Sequence, residues 1–197
     1  MFRMNQVPRF AIVFAVTAFM IIGFQVVNAQ PYEVDQRNDA TPPGGGFVFP
    51  GFGQTGQQFV PAFSSLDIVE LYLNSQSPGT IGIAFVQIRE GTITGPILGV
   101  SETFEVAPVA TPLTLSRFEF LTTVTLTPGS MHVIEVVAAS GNMGVFLTGF
   151  NNNSYPDGAA IHHGELHPNE DLWFREGISS SVPVEELTWG GVKALYR

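Results

Sequence analysis

Short runs in which hydrophobic and polar residues alternate make up most of the chain from Phe59 onward. Val124 and Leu126 alternate with threonines, and Phe118 and Phe120 alternate with charged residues. A period of two is typical of a β-strand with one buried face. The same reasoning predicts strands at Leu66–Leu73, Thr80–Ile88, Ile97–Val100, Phe104–Val106, Met131–Val137, Val145–Phe150 and Asp171–Arg175. Short strands separated by Gly and Pro turns, without a helical period before Gly177, predict an all-β antiparallel sandwich.

The alternation also predicts the core and two irregular strands. In Leu66–Leu73 both parities are apolar, so either both faces are covered or the strand contains a bulge. In Thr80–Ile88 the apolar parity changes, and a bulge near Phe85–Val86 would reconcile its two halves. The residues expected to be buried are Phe104, Phe118, Phe120, Val124, Leu126, Val133 and Trp173.

The first 29 residues have the pattern of a secretory signal peptide. Arg3 and Arg9 precede the apolar run 10–27, and small Ala29 ends the segment. This order of basic, apolar and small residues predicts cleavage after Ala29, with a retained membrane anchor as the alternative. The chain is therefore expected to be secreted, extracellular or periplasmic and associated with the cell envelope, without a membrane span once it is cleaved. Residues 30–56, rich in Gly and Pro, are expected to form a disordered linker before a β-sandwich domain at 57–178.

Charge and cysteine content exclude several classes of function. The full chain has 8 Lys and Arg against 17 Asp and Glu, a net charge of −9, and loss of Arg3 and Arg9 would make it −11. Such an acidic protein repels phosphate backbones, so we expect no nucleic-acid partner. The absence of cysteine excludes disulfides, thiolate catalysis and cysteine-based zinc sites. No cofactor is predicted, although scattered carboxylates are compatible with Ca²⁺.

The C-terminal segment 179–197 is expected to be a serine-containing spacer followed by an amphipathic tail. Trp189, Val192, Leu195 and Tyr196 recur at helical spacing, and Thr188 is a suitable N-cap. So short a helix needs a surface to stabilise it. We expect it to dock on its own sandwich, and the alternative is contact with sorting or assembly machinery.

A family resemblance rests on the order of strands and turns. Its segments are Ser65–Leu71, Gly91–Gly99, Phe118–Phe120, Val124–Gly129 and Asp171–Phe174. Together they resemble exported bacterial jelly-roll β-sandwich domains of unassigned function, similar in outline to galactose-binding-like and carbohydrate-binding sandwiches. The resemblance implies a jelly-roll sandwich and a glycan or a cell-envelope component as partner. It implies no catalytic residues.

The polar stretch from Asn151 to Asp171 is the long loop in which we expect a site. Sugar rings stack on aromatic side chains, and sugar hydroxyls bind amides and carboxylates. Asn151, Asn153, Tyr155 and Asp157 offer both kinds of group and are the candidate ligand-binding residues. A plain solvated loop is the alternative, in which Tyr155-Pro156-Asp157-Gly158 forms a type I turn.

A metal site is the third interpretation of the same loop. His162, His163, Glu165 and His167 are of the types that bind zinc. The His-Glu-x-x-His order that places a general base between helical ligands is absent, and Gly164 and Pro168 disfavour a helix. The leading hypothesis is therefore a secreted or surface-associated non-catalytic binding or structural module. The alternative is a metal-dependent hydrolase that uses the His162–His167 loop.

Overall fold

The structure, a computed structural model, describes residues 31–40, 43–50, 53–109 and 113–180. These residues form fourteen β-strands and no helix. The strands are β1 Tyr32–Asn38, β2 Gly45–Phe49, β3 Thr55–Phe59, β4 Ser65–Ser75, β5 Gly82–Glu90, β6 Ile97–Val100, β7 Phe104–Val106, β8 Thr114–Thr125, β9 His132–Ser140, β10 Met143–Gly149, β11 Ala160–His162, β12 Glu165–His167, β13 Asp171–Leu172 and β14 Phe174–Ser179. Within the described ranges, no helix is long and apolar enough to cross a membrane.

The strands build two seven-stranded antiparallel sheets. Sheet A has the order β1-β14-β4-β10-β13, with β8 paired to β4 and β2 paired to β10. Sheet B has the order β12-β11-β3-β9-β5-β6, with β7 paired to β5. The first described strand lies antiparallel to the last, so the two ends of the domain meet in sheet A. The predicted all-β, two-sheet sandwich architecture is confirmed.

One core lies between the two sheets, as the alternating pattern predicts. In β5, Ala84, Val86 and Ile88 face this core and are fully buried. Six of the seven residues predicted to be buried are buried, namely Phe118, Phe120, Val124, Leu126, Val133 and Trp173. The first four belong to this core, whereas Val133 packs in a small separate cluster with Ile93 and Ile161. Phe104 is only half-buried and packs against the edge of the core, because the short β7 lies at the margin of sheet B.

The two irregular strands differ in how they match the prediction. In β4, for which the pattern left two alternatives, the pairing with β8 shifts register between Leu66 and Ile68, and the consecutive residues Ile68–Leu71 are all buried, so the strand is both irregular and covered on both faces. In β5 the shift in the pairing with β9 lies between Ile83 and Ala84. The predicted bulge near Phe85–Val86 is therefore wrong. Since Ala84, Val86 and Ile88 already share one face, no change of parity occurs at Phe85.

The prediction of a disordered linker at 30–56 is wrong for the described residues of this range, because β1, β2 and the start of β3 lie within it. β2 pairs with β10 and buries Phe47 and Phe49. A side chain at Gly46 would place its Cβ 2.3 Å from the carbonyl oxygen of Val145. A glycine that looks like a linker residue is thus required for the close approach of two strands.

The two terminal predictions fall outside the described residues. The signal peptide at 1–29 and the amphipathic helix after residue 180 cannot be compared with the structure. The expected spacer begins one residue too early, because Ser179 is the last residue of β14. Its backbone N–H donates to the carboxylate of Asp67 in β4, at 2.6 Å.

Candidate functional site

A groove of about 510 Å³ opens beside β3 of sheet B. Alternation along β3 turns Gln57 and Phe59 into the core and leaves Gln58 half-buried at the surface. The 153–159 segment forms one wall of the groove and the end of the β11–β12 hairpin forms another. Its lining residues are Gln58, Val60, Met131, Asn153, Pro156, Asp157, Gly158, Ala159, Leu166 and Pro168.

The structure brings two of the four predicted ligand-binding residues into this groove. Asn153 and Asp157 are exposed and line it. Asn151 is also exposed, but it lies in a separate cleft of about 170 Å³ with Leu166 and His167. The groove and this cleft are neighbours because Leu166 lines both. The amide of Asn153 and the carboxylate of Asp157 are therefore the part of the predicted set that is placed together.

Tyr155 is not a surface platform, and its prediction as a ligand-binding ring is wrong. The side chain is 6% exposed and meets Phe174 edge-on, with 5.1 Å between ring centroids. Its hydroxyl donates to Oε1 of Gln36 at 3.0 Å and accepts from the backbone N–H of Val60 at 3.2 Å. Burial raises the pKa of Tyr155 to about 12. The ring anchors the loop to the sandwich, and the turn that follows it presents Asp157.

That turn has the predicted form. The N–H of Gly158 donates to the carbonyl oxygen of Tyr155 at 3.2 Å, which closes a four-residue β-turn with Pro156 and Asp157 at its centre. The solvated-turn interpretation of these residues is thus compatible with a place for Asp157 in the groove. Proline and the hydrogen-bonded turn fix the backbone at Asp157.

Asp171 fixes the same wall from inside the protein. Its Oδ2 accepts the backbone N–H groups of Ser154 and Tyr155 at 2.9 and 3.0 Å, and its Oδ1 accepts Nε2 of Gln57 at 3.0 Å. Oε1 of Gln57 in turn accepts the N–H of Leu172 at 2.8 Å. Burial raises the pKa of Asp171, and these hydrogen bonds oppose the rise.

Sequence reasoning did not assign Asp171 this role. The available signal was an acidic residue at the start of an otherwise apolar strand, where an unpaired carboxylate would be costly. The structure shows that the carboxylate is paired with the backbone of the groove wall. It is therefore a structural determinant of the candidate site.

The histidines of the predicted metal site stack instead of converging on one point. The His162 ring lies between Phe47, at 3.9 Å between centroids, and His163, at 3.8 Å, and His167 approaches it at 5.2 Å. In stacked rings the in-plane nitrogen lone pairs do not point at one another. Burial lowers the pKa of His162, and the nearby His163 and His167 lower it further.

The local hairpin explains this arrangement. His163 and Gly164, with φ of 58° and 79°, form a two-residue turn with both residues in the left-handed region. Glu165 is exposed across the hairpin from His162, and Nδ1 of His167 lies 3.5 Å from Oε2 of Glu170. Among the described residues, no three His, Asp or Glu side chains are arranged to hold a metal ion. The predicted metal site is not formed, and the hydrolase alternative loses its ligand set.

The groove is lined mainly by apolar and amide side chains. Of the described residues that line it, Asp157 is the single titratable group. General acid–base hydrolysis of a glycoside requires a pair of carboxyl groups. One exposed carboxylate among amides and apolar side chains supplies hydrogen bonds and contact surface.

Comparisons with known proteins give little further information. No protein-family model matches the sequence, and no curated protein matches it. Among solved structures, the chain is similar to CsCBM6-3 from Clostridium stercorarium in complex with cellobiose. The sequence identity is 16%, the match covers 60% of this chain and 87% of that chain, and the TM-score is 0.32. A TM-score of this size supports neither a fold assignment nor a ligand.

Proposed function

We propose that this protein is an exported, non-catalytic binding module that holds a saccharide in the groove beside β3. The observation that carries the proposal is the composition of the groove. Apolar surface from Leu166, Pro156 and Pro168 lies next to the planar polar groups of Gln58, Asn153 and Asp157. Small-molecule sites combine an apolar surface with a few fixed polar groups in this way, in volumes of about 300–1,000 Å³.

A saccharide matches this surface because it is amphipathic. The C–H groups of a sugar ring require apolar contact, and its hydroxyls both donate and accept hydrogen bonds. The amides of Gln58 and Asn153 do both, and the carboxylate of Asp157 accepts. The net charge of −9 disfavours an anionic ligand, so a neutral glycan is the best match.

The remaining parts of the proposal concern location and connectivity. The basic-apolar-small order of residues 1–29 supports export to the cell surface, the periplasm or the medium. A glycan of the cell envelope or of the surroundings would then be accessible to the groove. We also infer that the sandwich is of the jelly-roll type, as the order of its strands and turns suggests.

A glycan array tests the proposal directly. The purified full chain is applied with and without Ca²⁺, and we expect retention of neutral glycans. Asn153→Ala combined with Asp157→Ala should abolish retention while leaving the melting temperature unchanged. The matched control is Asn142→Ala with Glu102→Ala, because both residues are exposed and neither lines the groove.

Two outcomes of the array experiment would contradict the proposal. Retention that survives the Asn153 and Asp157 substitutions would place the ligand elsewhere. An array without any retained glycan, in either buffer, would remove the saccharide from consideration. Retention that requires Ca²⁺ would add a cofactor that the sequence leaves open.

A further inference from the structure

A second compartment lies next to the groove. It has a volume of about 250 Å³, and Gln58 and Leu166 line both compartments. Its other surfaces are Ile161 and Gly164 of the hairpin and the Thr92–Thr94 loop between β5 and β6. The groove and this compartment are therefore neighbours that meet at the Gln58 and Leu166 side chains.

The Thr92–Thr94 loop is held rigidly from below. Ile93 is buried in a small cluster with Val133 and Ile161 on this face of sheet B. Nε2 of Gln54 donates to the carbonyl oxygen of Ile93 at 3.2 Å. The loop thus has an apolar anchor and a polar anchor at the same residue, directly beside the floor of the compartment.

A partly buried ion pair supports the polar anchor. Nε of Arg89 lies 2.5 Å from Oε2 of Glu135, and Nε2 of Gln54 donates to Oε1 of Glu135 at 3.0 Å. The same arginine donates from its NH1 group to the carbonyl oxygen of Gly95 at 2.8 Å. Two ends of one loop are therefore tied to one ion pair. A wall ordered before binding reduces the entropy that a ligand must overcome.

The hydroxyls on top of this loop are left to the solvent. Thr92 and Thr94 are exposed, and their Oγ1 atoms lie 3.4 Å apart. None of the residues that line this compartment is charged. Two neighbouring hydroxyls in the compartment that the exposed apolar side chain of Leu166 lines have the chemistry expected for an uncharged polyol with an apolar face.

We propose that the Thr92–Thr94 loop is a second saccharide subsite, so that the ligand is an oligosaccharide chain spanning both compartments. This inference rests on the proposed function. A monosaccharide would occupy the groove on one side of Gln58 only. A chain that crosses Gln58 and Leu166 contacts both walls, and each contact adds to the binding of one molecule.

Titration calorimetry with oligosaccharides of increasing length tests the inference. The probes are the di-, tetra- and hexasaccharides of β-1,4-linked glucose, xylose and mannose, added to the full chain. We expect the dissociation constant in a series that binds to fall at least about tenfold from disaccharide to tetrasaccharide. Thr92→Ala with Thr94→Ala should remove this gain and leave the disaccharide affinity unchanged. Thr122→Ala with Thr123→Ala, exposed on β8 of sheet A, is the matched control.

The outcomes separate the two proposals. Binding with the same affinity at every length would overturn the second subsite and leave the first groove standing. A length-dependent gain that persists in the Thr92 and Thr94 variant would also overturn it. Failure of all three series to bind, together with an empty glycan array, would overturn the proposed function itself.

Discussion

Glu176→Gln should remove most of the stability loss that we expect between pH 5 and pH 8. Glu176 lies in β14 opposite Gln36 of β1 and is fully buried. Its carboxyl oxygens make no hydrogen bond of good geometry among the described residues, and the nearby backbone N–H of Gln36 only partly opposes the rise in its pKa. Its polar neighbour is the carboxylate of Asp35, at a bulge in β1, which accepts the backbone N–H groups of Ala62 and Phe63 at 2.9 and 2.8 Å. Two carboxyl groups hydrogen-bond to each other only if they share a proton.

The structure gives the sign and the size of the effect. Burial, with a smaller contribution from the charge of Asp35, raises the pKa of Glu176 from 4.5 to about 9. A raised pKa means that the folded protein keeps a proton that the unfolded chain loses above pH 4.5. The contribution of Glu176 to stability is therefore greatest below that pH and falls until about pH 9. At roughly 1.4 kcal/mol per pH unit, the fall from pH 5 to pH 8 is at most about 4 kcal/mol.

Urea unfolding of both proteins across this pH range measures the effect. A glutamine amide at this position still donates to Asp35 but does not titrate. Between pH 5 and pH 8 the free energy of unfolding should therefore fall by up to about 4 kcal/mol less in the variant than in the unsubstituted protein. Glu33→Gln is the matched control, because Glu33 is an exposed glutamate of β1. Its pH dependence should follow the unsubstituted protein. Parallel pH curves for Glu176→Gln and the unsubstituted protein would refute the shared proton.

Three further predictions address the core, the groove wall and the hairpin. Phe120→Ala should lower the free energy of unfolding by about 3–5 kcal/mol, measured in urea, because the ring is buried in the core. Asp171→Asn replaces an acceptor with a group that cannot accept all three of its hydrogen bonds, so we expect a loss of about 1–3 kcal/mol and faster hydrogen exchange at Tyr155. The lowered pKa of His162 means that its contribution to stability falls as the pH drops below 6.5. His162→Phe keeps the stack on Phe47 and should make the hydrogen exchange of residues 160–167, corrected for intrinsic rates, less dependent on pH between 5 and 7 than in the unsubstituted protein.

Strands such as β8 were predictable because their burial is decided locally. A strand with one face on the core and the other towards solvent alternates, and Phe118 and Val124 of β8, with Leu126 just after it, show that alternation in the sequence. The first two strands were not predictable in this way. β1 is largely polar, and its place is decided by pairing with β14, whose residues lie more than a hundred positions away. Gly46 is glycine because of the close approach of Val145 in β10, which no local pattern reveals.

The same difference between local patterns and long-range contacts explains which parts of the candidate site were predictable. Loop length and polarity were enough to place Asn153 and Asp157 at a surface. They were not enough to place Tyr155, because a tyrosine before a Pro-Asp-Gly turn is compatible with an exposed ring or a buried one. Its burial depends on Gln36 and Phe174, which belong to β1 and β14. The prediction for the histidines failed for a different reason. Their closeness in sequence suggested that they bind one metal ion together, whereas the two-residue turn at His163 and Gly164 leaves the rings stacked.

Long-range polar contacts are the part of the site that the sequence conceals, and they are what gives the groove its shape. Asp171 reaches back to Gln57, and Glu135 reaches back to Gln54, so β3 and the residue just before it hold both walls. Neither Gln54 nor Gln57 lies in a motif, and the sequence alone would predict an ordinary solvent-exposed side chain for each. Because both amides are committed to the walls, Gln58 is the glutamine of this segment whose side chain lines both compartments. A site of this kind is recognised only when the partners of each buried polar group have been traced across the sandwich.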